Sequence, residues 1–344
     1  MIAATSVFTK DQATRRPVAS REGFHLQFQT RLTEALDIKH PIVLAPMDYV
    51  SDASLATAVS GAGGLGLIGG GYGDREWLID QLNRVEPGTV GCGFITWALG
   101  EQPELLDIAL ERGPKAIFLS FGDPSPYVEK VRDAGVPLIC QVHNAEQARR
   151  ALDLGVEALA AQGAEAGGHG LGTRSTFTLV PEVADLISSK APGTLLLAAG
   201  GICDGRGLAA ALALGADGAL VGTRFYATNE AAISRKAHAV ALKASGDDTV
   251  RSSVYDLVRE KAWPKEYSGR VLRNDFVRRW HGQEPSLTAT LGGAQEEFKA
   301  AVENQDYTIA NLIVGEVVGQ INQILPAAEV VDQMIKEAGT RLIA

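Results

Sequence analysis

The chain has 344 residues, of which 46% are hydrophobic and 21% charged, a composition too apolar for a disordered protein. Its 41 acidic and 32 basic residues give a formal net charge of −9, which disfavours nucleic acid and anionic membranes as partners. The three cysteines, Cys92, Cys140 and Cys203, stand far apart, which excludes a disulfide scaffold and a thiolate metal site.

We predict neither a membrane span nor a secretory signal. No apolar run approaches the ~18 residues of a spanning helix, and the first residues lack the apolar core of a signal peptide. The sequence also contains no H-E-x-x-H, G-x-S-x-G or Walker motif, and no set of residues suggests a metal. We therefore expect a cytoplasmic protein.

Eight short apolar runs alternate with amphipathic stretches across residues 20–226. The runs begin near Ile42, Leu65, Val90, Lys115, Val136, Val156, Thr194 and Asp217. Strands buried on both faces read as continuous apolar runs, and a repeated strand–helix unit produces a parallel sheet with right-handed crossovers. Eight such units predict an α/β fold, a closed (β/α)8 TIM barrel. A doubly wound open sheet is the alternative.

The chain changes character after Tyr226. Residues 227–304 are polar, with two tryptophans among many charges, and predict an accessory helical and loop domain on the substrate side. Residues 305–344 predict C-terminal helices that pack back on the barrel. One is apolar and starts at Ile309, and the other is amphipathic and covers AAEVVDQMIKEA.

The seventh and eighth runs end in AAGGICDGRG and VGTRF. TIM barrels build phosphate sites from the loops after these strands and a nearby helix N-terminus. Gly200 and Gly201 let the backbone approach an anion closely. A helix starting near Asp204 would offer N–H groups, while Gly222 and Thr223 add an amide and a hydroxyl. Two such turns at these positions favour phosphate binding over two tight turns without function.

His169 lies in the loop after the sixth run, within AEAGGHG. Barrel enzymes place their active sites at this end of the strands, and an imidazole is suited to proton abstraction near neutral pH. This position favours a catalytic role over an inert loop histidine. Glu165 could orient His169, bond a cofactor hydroxyl or remain solvated.

Two other strand ends carry candidate residues. The first run ends in APMDYVSD, where Pro46 and Met47 lie at the barrel mouth and Ser51 or Asp52 caps the next helix. The fifth run ends at His143, which either faces the mouth as a second histidine or simply precedes a helix cap.

Four segments together resemble the nitronate monooxygenase family. They are APMDYVSDASLATAVSGAGGLG, AAQGAEAGGHG, AAGGICDGRGLAAALALGADGALVGTRF and VGEVVGQ. Gln162 to His169 match the discriminating pattern Q-G-x-E-A-G-G-H in full, whereas many FMN and phosphate barrels share the glycine turns. The resemblance runs from about residue 40 to the end.

The resemblance implies a TIM barrel that holds FMN noncovalently, with His169 as the catalytic histidine. It implies FMN contacts at Pro46, Met47, Gln162, Gly167, Gly168, Gly200, Gly201, Val221, Gly222 and Thr223. The family oxidises alkyl nitronates with O2 to a carbonyl compound and nitrite, and the flavin relays electrons singly without a nicotinamide cofactor. In members that accept neutral nitroalkanes, the histidine removes the α-proton.

The sequence departs from the family at the substrate end. Asp48 and Tyr49 follow the methionine where many members have small residues, and His143 stands where a small residue is more usual. We therefore expect Tyr49 and His143 to shape the substrate site. We expect a monomer or a homodimer.

Other functions remain open. One is an FMN-dependent NAD(P)H reductase of an enoyl thioester or a quinone. Another, from a different class, is a non-catalytic barrel that binds flavin or phosphate. A relative of IMP dehydrogenase is disfavoured, because the loop after the sixth run lacks the nucleophilic cysteine that such enzymes need.

Overall fold

A computed structural model describes residues 28–343, so that residues 20–27 of the expected barrel domain lie outside the described residues. Its strands are β1 (Ile42–Leu44), β2 (Leu67–Gly69), β3 (Gly91–Ile95), β4 (Ile117–Ser120), β5 (Leu138–Val142), β6 (Ala158–Gln162), β7 (Gly168–Gly170), β8 (Leu195–Ala199), β9 (Gly218–Val221), β10 (Thr249–Ser252) and β11 (Ser268–Leu272).

The first helices are α1 (Arg31–Ala35), α2 (Ala53–Gly61), α3 (Arg75–Asn83), α4 (Thr96–Leu99), α5 (Glu104–Glu111), α6 (Ser125–Asp133), α7 (Ala145–Asp153) and α8 (Thr176–Lys190). The later ones are α9 (Gly205–Ala213), α10 (Thr223–Tyr226), α11 (Arg235–Ala241), α12 (Val254–Val258), α13 (Asp275–Trp280), α14 (Glu284–Ala289), α15 (Leu291–Asn304) and α16 (Ala327–Ile343).

Eight parallel strands form the barrel in the order β1-β9-β8-β6-β5-β4-β3-β2. A parallel bridge between Val43 of β1 and Leu65, just before β2, connects the two ends of this sheet and closes the barrel. Each strand begins within three residues of the start of a predicted apolar run. The TIM barrel is confirmed, and the open sheet is excluded.

Alternate strand residues face two separate cores. The inner core fills the barrel with side chains such as Val43, Phe118 and Leu197, and Leu32 of α1 packs into it. The outer core lies between strands and helices. Because side chains alternate along a strand, the inward set continues to the carboxyl-terminal mouth, where the candidate site lies.

Helix caps follow the sequence signals. The side chain of Asp52 accepts from Leu55 N at the start of α2, and Asn144 and Asp204 cap α7 and α9 in the same way. A side-chain oxygen at this position satisfies an N–H group that the helix itself cannot. The strand-to-helix turns of the barrel are therefore set by local residues.

The accessory segment contains strands as well as helices. β10 and β11 form an antiparallel pair, and β11 also pairs with β7, so that Gly269 lies opposite His169. His169 therefore lies on a short strand of this second sheet, not in a free loop. The pairing joins the insertion after β6 to residues about 100 positions later in the chain.

The helix predicted from Ile309 is not present. The segment forms only a short 3-10 helix, Glu316–Gln320, whereas the final helix, α16, is confirmed. Gly315 passes so close to the loop after β6 that an added Cβ would lie 2.7 Å from both Glu165 O and Gly167 N. An α-helix, with side chains on all sides, could not make this backbone approach.

Candidate active site

A cavity of about 290 Å³ opens at the carboxyl-terminal ends of the barrel strands. His169 and Tyr49 line it, as do nine of the ten positions expected to contact FMN: Pro46, Met47, Gln162, Gly167, Gly168, Gly200, Gly201, Gly222 and Thr223. Val221 is the exception, because its side chain faces the outer core. Its neighbours Leu220 and Gly222, with the opposite orientation along the strand, line the cavity instead.

Small residues form much of the cavity wall at the strand ends. Ala45, Gly69, Gly93 and Ala199 each leave little or no side chain there. At Gly93 an added Cβ would lie 2.5 Å from the Pro46 ring. This arrangement leaves room for a flat ring system across the mouth of the barrel.

One corner of the cavity suits a phosphate group. Gly200 and Gly201 have φ angles of 98° and 74°, in the left-handed region that favours glycine. Thr223 Oγ1 accepts a hydrogen bond from Gly315 N at 2.8 Å, which leaves the hydroxyl hydrogen free to donate into the cavity. Glycine backbone and a hydroxyl donor together form an anion cradle.

The N-terminus of α9 does not supply the free N–H groups that we expected. Gly205 N donates to Glu337 Oε2 at 2.9 Å, and Gly207 N donates to Asp204 Oδ1 at 3.0 Å. Two carboxylates of the chain already occupy this helix end. The expected phosphate site is thus reduced to the two glycine turns and Thr223.

Side-chain amides line the opposite part of the mouth. Gln141 and Gln162 project from the ends of β5 and β6, and Ser120 from β4. Ser120 and Gln141 each follow an inward-facing residue by two positions, so their side chains also face inward. This alternation could have identified both residues from the sequence. Amides and hydroxyls can match the donors and acceptors of a heterocycle.

His143 lies behind this row and does not line the cavity. It is 3% exposed, and its Nε2 is 2.9 Å from Gln162 Oε1 and 3.2 Å from Gln141 Nε2. Its backbone N–H and Nδ1 lie 2.8 and 3.1 Å from Gln147 Oε1. Burial lowers the pKa of His143 to about 4, so the ring is neutral near pH 7. The structure thus corrects the expected substrate contact to a support for two amides.

His169 is the one histidine that lines the cavity among the described residues. Its Nε2 lies 3.0 and 3.1 Å from the two carboxylate oxygens of Asp256 on α12. The Trp263 ring stacks on the imidazole at a centroid distance of 3.5 Å and an interplanar angle of 5°. A carboxylate accepts only, so Nε2 carries the proton and Nδ1 keeps its lone pair.

The charge state of His169 follows from two opposed effects. Burial lowers the pKa of His169, while the hydrogen bond and the charge of Asp256 raise it. Burial is the larger effect, so the imidazole is neutral at pH 7. A neutral ring with an oriented N–H and a free lone pair has the chemistry that proton abstraction requires.

Glu165 does not orient His169. Its two carboxylate oxygens accept from Thr176 N at 3.0 Å each, and the Thr176 hydroxyl donates to Oε2 at the same distance. The carboxylate therefore caps the start of α8. Tyr49 lies at the cavity rim, where its hydroxyl donates to Asp74 Oδ2 at 3.1 Å.

The accessory segment also brings Asp256, Trp263 and Arg259 to the site, three residues that are not predicted from the sequence. No local motif surrounds them. The only signal was the unusual presence of tryptophan in a polar stretch.

A bound flavin mononucleotide fits these residues. The glycine turns and Thr223 would hold its phosphate, the small residues would face the flat ring, and Gln141 and Gln162 would meet its polar edge. The fit is supported by the glycine backbone at Gly200 and Gly201, which has no side chain to exclude a phosphate, and by the hydroxyl and amide groups that can bond to the cofactor. Among the described residues, no group of three or more His, Cys, Asp or Glu side chains could hold a metal ion.

Comparison with known proteins agrees with this chemistry and identifies a flavin-dependent oxidoreductase on a TIM barrel. The family model that matches describes nitronate monooxygenase and covers residues 29–107 and 94–337. The chain belongs to the nitronate monooxygenase family.

Individual relatives span nearly the whole chain. A nitronate monooxygenase of Neurospora crassa is 30% identical over 88% of this chain and 90% of its own. An octahydro-1H-indene-4-carboxyl-CoA dehydrogenase of Mycobacterium tuberculosis is 28% identical over 92% and 98%. The solved structure of FabK from Thermotoga maritima has a TM-score of 0.78 and 30% identity, and covers 92% of this chain and 97% of that one. Over residues 28–343, no helix has the length and apolar character needed to cross a bilayer.

Proposed function

We propose that this protein is an FMN-dependent nitronate monooxygenase that oxidises nitronates with O2 to a carbonyl compound and nitrite. The observation that supports it most is His169, which lines the cavity with a hydrogen-bonded Nε2 and no partner for Nδ1 among residues 28–343. FMN, when bound, supplies the one-electron chemistry between substrate and O2.

The histidine handles the proton. With a neutral nitroalkane, His169 Nδ1 takes the α-proton and produces the nitronate that is oxidised. Asp256 holds the ring orientation through Nε2 and stabilises the imidazolium that forms. Trp263 covers one ring face and restricts access of water. With a nitronate as substrate, the proton has already left and this step is not needed.

The test uses protein reconstituted with FMN and assayed aerobically without NAD(P)H. Propionate 3-nitronate, 1-propylnitronate and neutral 1-nitropropane are each supplied, and O2 uptake and nitrite are followed. We expect turnover of at least one nitronate. Absence of nitrite from every nitronate would overturn the proposal.

His169→Asn separates the base from the rest of the site. We expect normal FMN content and a loss of about 10²–10⁴-fold in kcat/KM on 1-nitropropane, the usual contribution of a general base. The loss on 1-propylnitronate should be much smaller. Equal losses on the two substrates would show that His169 does not act as the base.

The similarity to FabK and to the carboxyl-CoA dehydrogenase supports a second candidate, an FMN-dependent reductase that uses NAD(P)H. Anaerobic mixing with NAD(P)H distinguishes the two. Rapid bleaching of the flavin, together with no nitrite from nitronates, would favour the reductase.

A further inference from the structure

We propose that the preferred substrate is a singly charged nitronate, or its parent nitroalkane, with an apolar body of about the size of an aromatic ring. The inference rests on the proposed function and names its substrate class. It excludes from the preferred substrates those nitronates that also carry a carboxylate.

Aromatic side chains surround the space next to the base. Tyr72, Phe121 and Trp263 all line the cavity. The Phe121 centroid is 5.0 Å from Trp263 and 6.4 Å from His169, and the Tyr72 centroid is 6.2 Å from Trp263. Phe121 has a φ of 63°, rare for a residue with a side chain, so its ring is held there against backbone preference. These faces favour an apolar or aromatic body.

The described residues that line the cavity offer no free positive charge for a carboxylate on the substrate. Arg259 is the one Lys or Arg among the described residues that line it. Its Nη2 lies 3.6 Å from Asp48 Oδ2, and its guanidinium lies 5.4 Å from the Tyr72 centroid. A carboxylate on the substrate would have to compete with Asp48 for the Arg259 guanidinium. It would also be repelled by the negative charge of the Asp48 carboxylate.

The experiment measures kcat/KM of the FMN-loaded enzyme for three nitronates. They are phenylmethylnitronate, 1-propylnitronate as the small reference, and propionate 3-nitronate. We expect kcat/KM for phenylmethylnitronate to exceed that for 1-propylnitronate by about tenfold or more. We expect kcat/KM for propionate 3-nitronate to be lower than that for 1-propylnitronate by a similar factor. If propionate 3-nitronate is preferred, the inference fails while the proposed function stands. If none yields nitrite, the proposed function itself fails.

Variants test each part of the argument. Phe121→Leu should reduce the ratio of phenyl to propyl turnover. Asp48→Asn should raise the ratio of propionate 3-nitronate turnover to 1-propylnitronate turnover, because it frees Arg259 from its ion pair.

Lys261→Gln is the matched control. Lys261 Nζ also lies over the Tyr72 ring, at 4.4 Å, but does not line the cavity. A selective loss of propionate 3-nitronate in Arg259→Gln would overturn the inference.

Discussion

Asp256 and His169 are 87 residues apart in the chain and 3.0 Å apart in space. Asp256 is not among the residues that line the cavity. We therefore expect it to act as a positioning residue for His169. Asp256→Asn removes the charge that raises the pKa of His169 and replaces one acceptor oxygen by an NH2 donor, so that the side chain no longer selects the tautomer with the proton on Nε2. We expect kcat/KM for a neutral nitroalkane to fall by about 10²–10⁴-fold.

The pH profile distinguishes this role from a structural one. In the proposed function the neutral imidazole is the active form, so we expect activity to be lost as pH falls through the pKa of His169, which burial holds below 6.5. In Asp256→Asn the acid limb should move to lower pH, and Asp256→Glu should restore part of the rate. Asp275→Asn, at an exposed carboxylate, is the control. An acid limb that does not move would contradict the assignment.

His143 makes a separate prediction about stability. Its pKa is about 4 in the folded protein against 6.5 for the unperturbed group, so the unfolded chain binds the proton more readily between these values. The free energy of unfolding should therefore decrease as pH falls from 6.5 towards 4, by up to about 3 kcal/mol from this group. Urea unfolding of His143→Gln at several pH values should lack this component, whereas His281→Gln, at an exposed histidine, should retain it.

Some residues of the cavity carry their own signal in the sequence. Gly200, Gly201 and Thr223 could be placed at the barrel mouth because they follow particular strands, and they line the cavity. The proton on His169 Nε2 could not be assigned, because it depends on Asp256, which comes from another part of the chain. His143 was misplaced because a strand end does not reveal whether a side chain faces the cavity or lies behind it.

At the scale of elements, the close approach of α2 to the barrel depends on Gly66. An added Cβ there would lie 1.9 Å from Ala56 O, a backbone atom that cannot move aside alone. We expect Gly66→Ala to lower the free energy of unfolding by about 3 kcal/mol, as overpacking does. Gly61→Ala in the same helix meets nothing within 4 Å and should be neutral or slightly stabilising. Equal urea midpoints for the two variants would contradict this account.

Elements with a local pattern were predicted and elements without one were not. The eight barrel strands and α16 carry continuous apolar runs or an amphipathic period. β7 contains only Gly168, His169 and Gly170, and is a strand only because β11 pairs with it. The segment after Ile309 has a helical composition, but backbone contacts at Gly315 determine its path.

At the scale of the molecule, Arg270 joins three parts of the chain. It donates from Nε and Nη2 to Ala164 O at 3.1 and 3.0 Å, from Nη1 to Thr249 Oγ1 at 3.0 Å, and pairs with Glu316 at 2.9 Å. Ala164 lies in the loop between β6 and β7, which we call the cavity loop. Thr249 lies in β10 and Glu316 in the C-terminal segment.

We expect Arg270→Met to loosen the cavity loop. FMN should bind about tenfold more weakly, consistent with the loss of charge-assisted hydrogen bonds. Fluorescence titration of the apoprotein with FMN measures this affinity. Arg278→Met, at a more exposed arginine, is the control, and an unchanged FMN affinity in Arg270→Met would count against the role of Arg270.

The pairing of β7 with β11 also determines the order in which a growing chain can complete its site. All eight barrel strands have been synthesised once Val221 is made, and the glycine cradle is present soon afterwards. Asp256, Trp263 and β11 follow only later, with residues up to 272. On the ribosome, His169 thus acquires its partner Asp256 only after the barrel strands have been made, and the cavity-lining residues Asn311 and Gly315 follow later still.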